Sequence, residues 1–130
     1  MRTVLVVEDD NDLRFMLKLL LERAGYQVQE AAHGMGALHR ISESVPDLIV
    51  TDIKMPILNG SDLIRRLREQ EKTADLPIVV VSAYAVLPET ASLADAIIAK
   101  PFAPEHIVDV VARLIGGRPQ SDPTSQKTGP

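Results

Sequence analysis

Residues 1–25 read MRTVLVVEDDNDLRFMLKLLLERAG, and this stretch decides the fold. Val4 to Val7 is an unbroken apolar run, the mark of a strand covered on both faces. Leu13, Met16, Leu17, Leu20, Leu21 and Ala24 follow at offsets 0, 3, 4, 7, 8 and 11, which define one stripe of an amphipathic helix. Gly25 supplies a helix stop. A buried strand running straight into a helix is half of a crossover unit.

The unit repeats along the chain. Tyr26, Val28 and Glu30 open a second strand, more alternating and so nearer a sheet edge, and Ala37, Leu38 and Ile41 give a short second helix. Pro46 breaks the chain before the third strand, Leu48-Ile49-Val50. The loop Met55-Pro56-Ile57-Leu58-Asn59-Gly60 then leads to a helix with Leu63, Ile64 and Leu67 inward. Pro77 opens a strand over Ile78 to Val81, Pro88 to Leu93 has room only for a short helix, and Ala96 to Ala99 reads as a fifth strand. Pro104 suits the first turn of a last helix, whose apolar face is Ile107, Val108, Val111, Leu114 and Ile115. Buried strands alternating with helices require crossover connections. The expected class is therefore α/β, a doubly wound five-stranded parallel sheet with helices on both faces.

The chain has 130 residues, enough for one domain with a real core. Residues 1–116 form that domain in this reading. From Gly116 to Pro130 the sequence GGRPQSDPTSQKTGP holds no hydrophobic residue, and 117–130 is expected to be a disordered polar tail or the stub of a linker. There is no Cys, which excludes a disulfide framework, a thiolate metal site and a cysteine nucleophile. No apolar run approaches the length of a membrane span, and the charged cluster Glu8-Asp9-Asp10 comes too early for a signal peptide. A cytoplasmic protein with no membrane partner is the expectation. The formal net charge of −4 argues against direct nucleic-acid binding.

Ligands of such sheets bind beyond the carboxyl ends of the strands. Strand 1 ends in Glu8-Asp9-Asp10, strand 3 in Thr51-Asp52, strand 4 in Ser82-Ala83 and strand 5 in Lys100-Pro101. Taken singly, each has an ordinary explanation: a helix cap, a turn residue, a strand-end hydroxyl, a surface charge. Their convergence on one sheet edge is what singles them out. Glu8, Asp9 and Asp52 would crowd three negative charges together, which is costly without a cation. A hard divalent ion with oxygen ligands, most naturally Mg²⁺, relieves this, and Lys100 brings the formal sum to zero. A neutral, metal-bearing pocket around one carboxylate suits phosphoryl transfer, with Asp52 attacking in line and Ser82 donating a hydrogen bond to the transferred group.

The segments VLVVEDDNDLR, LIVTDIKMPILNG, PIVVVSA and AKPF together resemble the receiver domain of two-component response regulators, in its single-domain, chemotaxis-regulator-like form. The resemblance runs from Met1 to about Ile115. It implies strand order 2-1-3-4-5 and, position by position, Glu8 and Asp9 as the acidic pair binding Mg²⁺ and Asp52 as phosphoacceptor. It also implies the Lys54 backbone carbonyl as a further metal ligand, Ser82 as switch hydroxyl and Lys100 as phosphoryl contact, with a Lys-Pro bond that is commonly cis in the family. Lys54 and Tyr84 flank the pocket mouth, where the family tunes loss of the acyl phosphate. The implied partners are a sensor histidine kinase or phosphotransfer protein and a downstream protein target. No enzyme activity is implied beyond self-phosphorylation and autodephosphorylation.

Two departures stand out. Ile97 occupies the position three before the lysine, where the family usually carries Tyr or Phe as the aromatic partner of the switch hydroxyl. The segment from Ser82 to Lys100 is about one helical turn shorter than usual, so helix 4 is abbreviated. These departures make a non-switching receiver-fold interaction module the alternative reading. An aspartate-nucleophile phosphatase would want a second acid two residues beyond Asp52, where Lys54 stands. Gly34-Met35-Gly36 lacks the third glycine of a dinucleotide fingerprint, because His39 stands there. His33, His39 and His106 have no metal-ligand spacing. Arg65, Arg66 and Arg68 read most simply as a solvated helix face.

Overall fold

The computed structural model describes residues 2–116, so the tail expected over 117–130 lies outside the described residues. The chain alternates strands and helices in the order β1 (Thr3–Val7), α1 (Asn11–Arg23), β2 (Gln27–Ala31), α2 (Gly34–Glu43), β3 (Leu48–Thr51), α3 (Gly60–Glu69), β4 (Ile78–Ser82), α4 (Pro88–Leu93), β5 (Ala96–Ala99) and α5 (Pro104–Gly116), with a 3-10 turn at Glu71–Thr73. All strand pairs are parallel and the sheet order is β2-β1-β3-β4-β5. The alternating second strand is indeed an edge, as its half-polar pattern foretold.

Strand alternation sorts the core into two layers. Leu5, Val7, Ile49, Ile78 and Val80 face α2 and α3, against Ala37, Ile41, Leu63, Ile64 and Leu67. Val4, Val6, Val50, Val79, Val81 and Ile98 face the other way, against Leu17 and Leu21 of α1 and Ile107, Val110, Val111 and Ile115 of α5. Burying each of the Val, Leu and Ile side chains among these contributes roughly 2 kcal/mol. Two details differ from the periodicity. Met16 and Ala24 are exposed, because the helix seats on the Leu17–Leu21 line and both flank it. Val110, outside the face read from the sequence, is buried.

The short helix α4 has six residues, begins at Pro88 and has no side-chain N-cap. It is held from α3 instead. Thr90 Oγ1 donates to Ser61 Oγ at 3.1 Å, and Arg68 Nε donates to the carbonyl of Leu93 at 3.0 Å. Arg68 also donates to the carbonyls of Thr73, Ala74 and Leu76 at 3.3, 2.9 and 2.7 Å and to Asp95 Oδ2 at 3.0 Å. The solvated-face reading of Arg68 is therefore corrected: its guanidinium fork gathers carbonyls from the turns after α3 and the end of α4. Arg66 remains exposed, and Arg65 pairs with Asp62 at 2.7 Å on the surface.

Candidate functional site

The hydrogen-bond ladder runs past the ends of the strands. Glu8 N–H donates to the Ala31 carbonyl at 3.0 Å, and Asp52 N–H donates to the Val7 carbonyl at 3.1 Å. Glu8 and Asp52 therefore leave adjacent strands, β1 and β3, at the same level. The backbone then turns at Asp10, whose Oδ1 accepts from the N–H groups of Asp12 and Leu13 at 3.0 and 3.1 Å. Asp10 is thus the N-cap of α1. That leaves the carboxylates of Glu8 and Asp9 for the sheet edge.

One ligand oxygen each from Glu8, Asp9 and Asp52 lies within 4.8 Å of the others. Glu8 and Asp52 are only 2% and 8% exposed, whereas Asp9 faces solvent. Lys100, delivered by the end of β5, places Nζ 2.7 Å from Asp52 Oδ2 and 3.2 Å from Glu8 Oε1. The Lys100–Pro101 peptide bond is cis. Asp52 Oδ1 accepts the Ile53 N–H at 2.6 Å, and Glu8 Oε2 accepts the Asp10 N–H at 3.2 Å.

The charges are strongly coupled. Burial pushes the Glu8 carboxyl above the usual carboxylate range and the Asp52 charge adds to this, while the Asp10 N–H and Lys100 pull back. For Lys100, burial works against the ammonium, yet its hydrogen bond to Asp52 and the charges of Glu8 and Asp52 outweigh that and raise its pKa. The donor set is all oxygen, partly buried and short of positive charge, which fits a hard divalent cation.

Ser82, the buried last residue of β4, accepts the Tyr84 N–H on Oγ at 3.1 Å, and its carbonyl accepts the Lys100 N–H at 2.9 Å. The Ser82 hydroxyl proton is thus not consumed by Tyr84. Lys54 Nζ stands 4.8 Å over the ring of Tyr84, so the side chains two residues beyond Asp52 and Ser82 touch one another. Ile97 pairs in register with Val80, on the face opposite buried Ile98, and is 44% exposed because the short α4 leaves it uncovered.

Two residues near the site were invisible to sequence reasoning. His33, whose spacing suggested no metal ligation, is the N-cap of α2: its Nδ1 accepts the Gly36 N–H at 3.0 Å. Arg14 braces the β1–α1 loop, with Nη1 donating to the Glu8 carbonyl at 2.7 Å. Neither bond leaves a mark in residue spacing.

Comparisons with known proteins agree with this geometry. The family model of the response regulator receiver domain matches residues 4–112. The chain is 34% identical over 119 residues to the response regulator receiver protein CpdR of Brucella abortus, covering 88% of this chain and 98% of that one. It is 36% identical over 111 residues to the phosphate regulon transcriptional regulatory protein PhoB of Pseudomonas aeruginosa, covering 82% of this chain. It spans only 48% of that regulator, and about half the length of several other curated relatives. Among solved structures, the receiver domain of a sensor histidine kinase of Pseudomonas aeruginosa superposes with a TM-score of 0.81 at 27% identity, over 88% of this chain and 98% of that one. That structure holds a magnesium ion coordinated in its active-site cleft. Among the described residues of the present chain, no helix is long and apolar enough to cross a membrane. With its fold, its acidic strand ends and this match over nearly all of the described chain, the protein belongs to the response regulator receiver domain family of two-component systems.

Proposed function

We propose that the protein is a phosphoacceptor switch in which Asp52 takes a phosphoryl group from the phosphohistidine of a sensor histidine kinase or phosphotransfer protein. The observation that carries this reading is the buried Asp52 carboxylate, bonded to Lys100 at 2.7 Å beside the Glu8–Asp9 pair. Glu8, Asp9, Asp52 and the Lys54 backbone carbonyl would hold Mg²⁺, which when bound neutralises charge on the phosphoryl oxygens. A carboxylate oxygen of Asp52 attacks phosphorus in line, the new P–O bond forms as the P–N bond breaks, and the donor imidazole leaves with the electron pair. Lys100 neutralises the phosphoryl oxygens and Ser82 donates its hydroxyl proton to one of them. The product alters the surface by which a downstream protein is bound, to the extent that the two states interact differently with the phosphoryl group.

The test is intact mass after incubation with Mg²⁺ and acetyl phosphate. The wild type is expected to gain roughly 80 Da and Asp52→Asn to gain nothing. An increment that persists in Asp52→Asn would remove Asp52 from its role.

The contact between Lys54 and Tyr84, the residues two beyond Asp52 and Ser82, supports a role for Tyr84 in slowing water that would reach the aspartyl phosphate. Tyr84→Ala is expected to shorten the phosphoprotein's lifetime several-fold, on the order of 1 kcal/mol in the hydrolysis barrier. A lifetime equal to wild type would take Tyr84 out of that role.

A second reading, a receiver-fold module that binds its partner without switching, draws on exposed Ile97 and the six-residue α4. A β-branched side chain cannot swing as an aromatic ring does. Amide shifts on phosphorylation that stop at the pocket and leave α4 and β5 unmoved would favour it.

A further inference from the structure

The loop carrying Glu8 and Asp9 is braced by one guanidinium. Arg14, on α1, donates through Nη1 to the Glu8 carbonyl at 2.7 Å, through Nη2 to Asn11 Oδ1 at 2.7 Å and through Nε to Glu30 Oε1 at 3.3 Å. These partners lie in the loop, at the first residue of α1 and near the end of β2. The Arg14 side chain is 18% exposed, so it is an internal brace with a salt bridge at its rim. The Glu8 carbonyl belongs to the peptide that joins Glu8 to Asp9. Because a peptide is planar, holding its oxygen fixes the plane from which both side chains depart. Glu8 is additionally tied down by Lys100 and by the Asp10 N–H, but Asp9 is exposed and no described hydrogen bond holds its carboxylate.

We infer that Arg14 is a positioning residue for divalent-cation binding: it sets the Glu8–Asp9 peptide plane and thereby aims the Asp9 carboxylate at Glu8 and Asp52, without touching the cation. The inference rests on the reading of Glu8, Asp9 and Asp52 as a cation site. Two physical effects of Arg14 have opposite signs, which makes the inference testable. As a bare positive charge near three carboxylates, Arg14 would weaken cation binding, and its loss would tighten it. As the brace of the peptide, its loss loosens binding, and partners that orient metal ligands typically matter by about 10- to 100-fold in affinity. Glu30, already paired with Arg14, offsets much of the charge effect, so positioning dominates. Lysine keeps the charge but lacks the rigid fork that reaches all three partners.

The experiment is a Mg²⁺ titration of the full chain by calorimetry, at a temperature where circular dichroism shows every variant folded, paired with the Asp9 amide resonance in cation-free buffer. Arg14→Met is expected to weaken Mg²⁺ binding at least about tenfold and to displace the Asp9 amide. Arg14→Lys, the better-tolerated variant if Arg14→Met does not fold, recovers less than half of that loss. Glu30→Gln leaves the bonds to Glu8 and Asn11 in place, and changes affinity less than about threefold with the Asp9 amide unmoved. Equal losses in Arg14→Met and Glu30→Gln would assign the effect to the ion pair and overturn the inference. So would unchanged or tighter Mg²⁺ binding in Arg14→Met while Asp9→Asn weakens it, an outcome that leaves the cation site standing. Mg²⁺ binding that Asp9→Asn does not alter would instead remove the cation reading itself.

Discussion

Gly60→Ala is expected to abolish phosphoryl uptake at Asp52 and to lower the stability of the fold by about 3 kcal/mol or more. Gly60 opens α3 and donates its N–H to the Ile53 carbonyl at 2.8 Å, closing the β3–α3 loop back on the strand end. A methyl group on Gly60 would overlap the carbonyl oxygen of Asp52, lie 2.8 Å from Ile53 Cα and lie 3.0 Å from the Asp52 carbonyl carbon. All three obstacles are backbone, so no side-chain rotation relieves them. Either α3 retreats or the Asp52–Ile53 peptide moves and carries the carboxylate with it, losing the 2.7 Å bond to Lys100. Gly36 provides the contrast: a methyl there meets nothing nearer than His33 Cε1 at 3.4 Å. Gly36→Ala should therefore be tolerated, with a stability change within about 1 kcal/mol of wild type. Urea midpoints and the acetyl phosphate mass assay check both variants. A Gly60→Ala protein with wild-type midpoint and wild-type uptake would refute the close-packing argument.

The parts of this fold that were readable in sequence are those governed by periodicity. Val4–Val7 and Ile78–Val81 are covered on both faces, so they read as continuous apolar runs, and Leu63, Ile64 and Leu67 recur at the helical repeat. The convergence of the strand ends that carry Glu8, Asp52, Ser82 and Lys100 was readable because parallel strands deliver their last residues to one edge. What stayed hidden depends on side chains that bond main-chain atoms a few residues away, which neither residue type nor hydrophobic periodicity reports. Arg68 looks like one of three helix-surface arginines, and only the turns around Thr73, Ala74 and Leu76 give it carbonyls to collect. Arg14 and His33 are the same case, a side chain whose partner is a main-chain atom. The perturbed Glu8 carboxyl was hidden too, since burial is its largest cause and sequence does not measure burial. The exposed Ile97 stands between the two: its identity was visible, but its exposure follows from how little of β5 the short α4 covers.

Lys100→Met is expected to weaken the cation-free protein by about 2–3 kcal/mol at neutral pH, and to make it more responsive to Mg²⁺ than the wild type is. Lys100 is the countercharge shared by Asp52 and Glu8, at 2.7 and 3.2 Å, and both of those carboxylates are buried. Removing it leaves two negative charges together with only N–H groups to stabilise them. The loss stays below that of a fully buried broken pair because Glu8 has an escape: its carboxyl already lies above the usual range and rises further without the ammonium, so it takes up a proton at higher pH than in the wild type. A carboxyl raised in the folded state binds protons more readily there than in the unfolded chain, so stability falls as pH climbs through its folded pKa. That fall should extend to higher pH in Lys100→Met than in wild type. Mg²⁺ restores the missing charge, so the rise in Tm on adding saturating Mg²⁺ should be larger in the variant. Uptake from acetyl phosphate should nevertheless drop at least about a hundredfold, because the ammonium that meets the developing charge on the phosphoryl oxygens is gone. Melting curves with and without Mg²⁺, taken across pH, separate charge balance from chemistry. Equal Mg²⁺-induced gains in the two proteins would show that Lys100 and the cation do not share the same carboxylates.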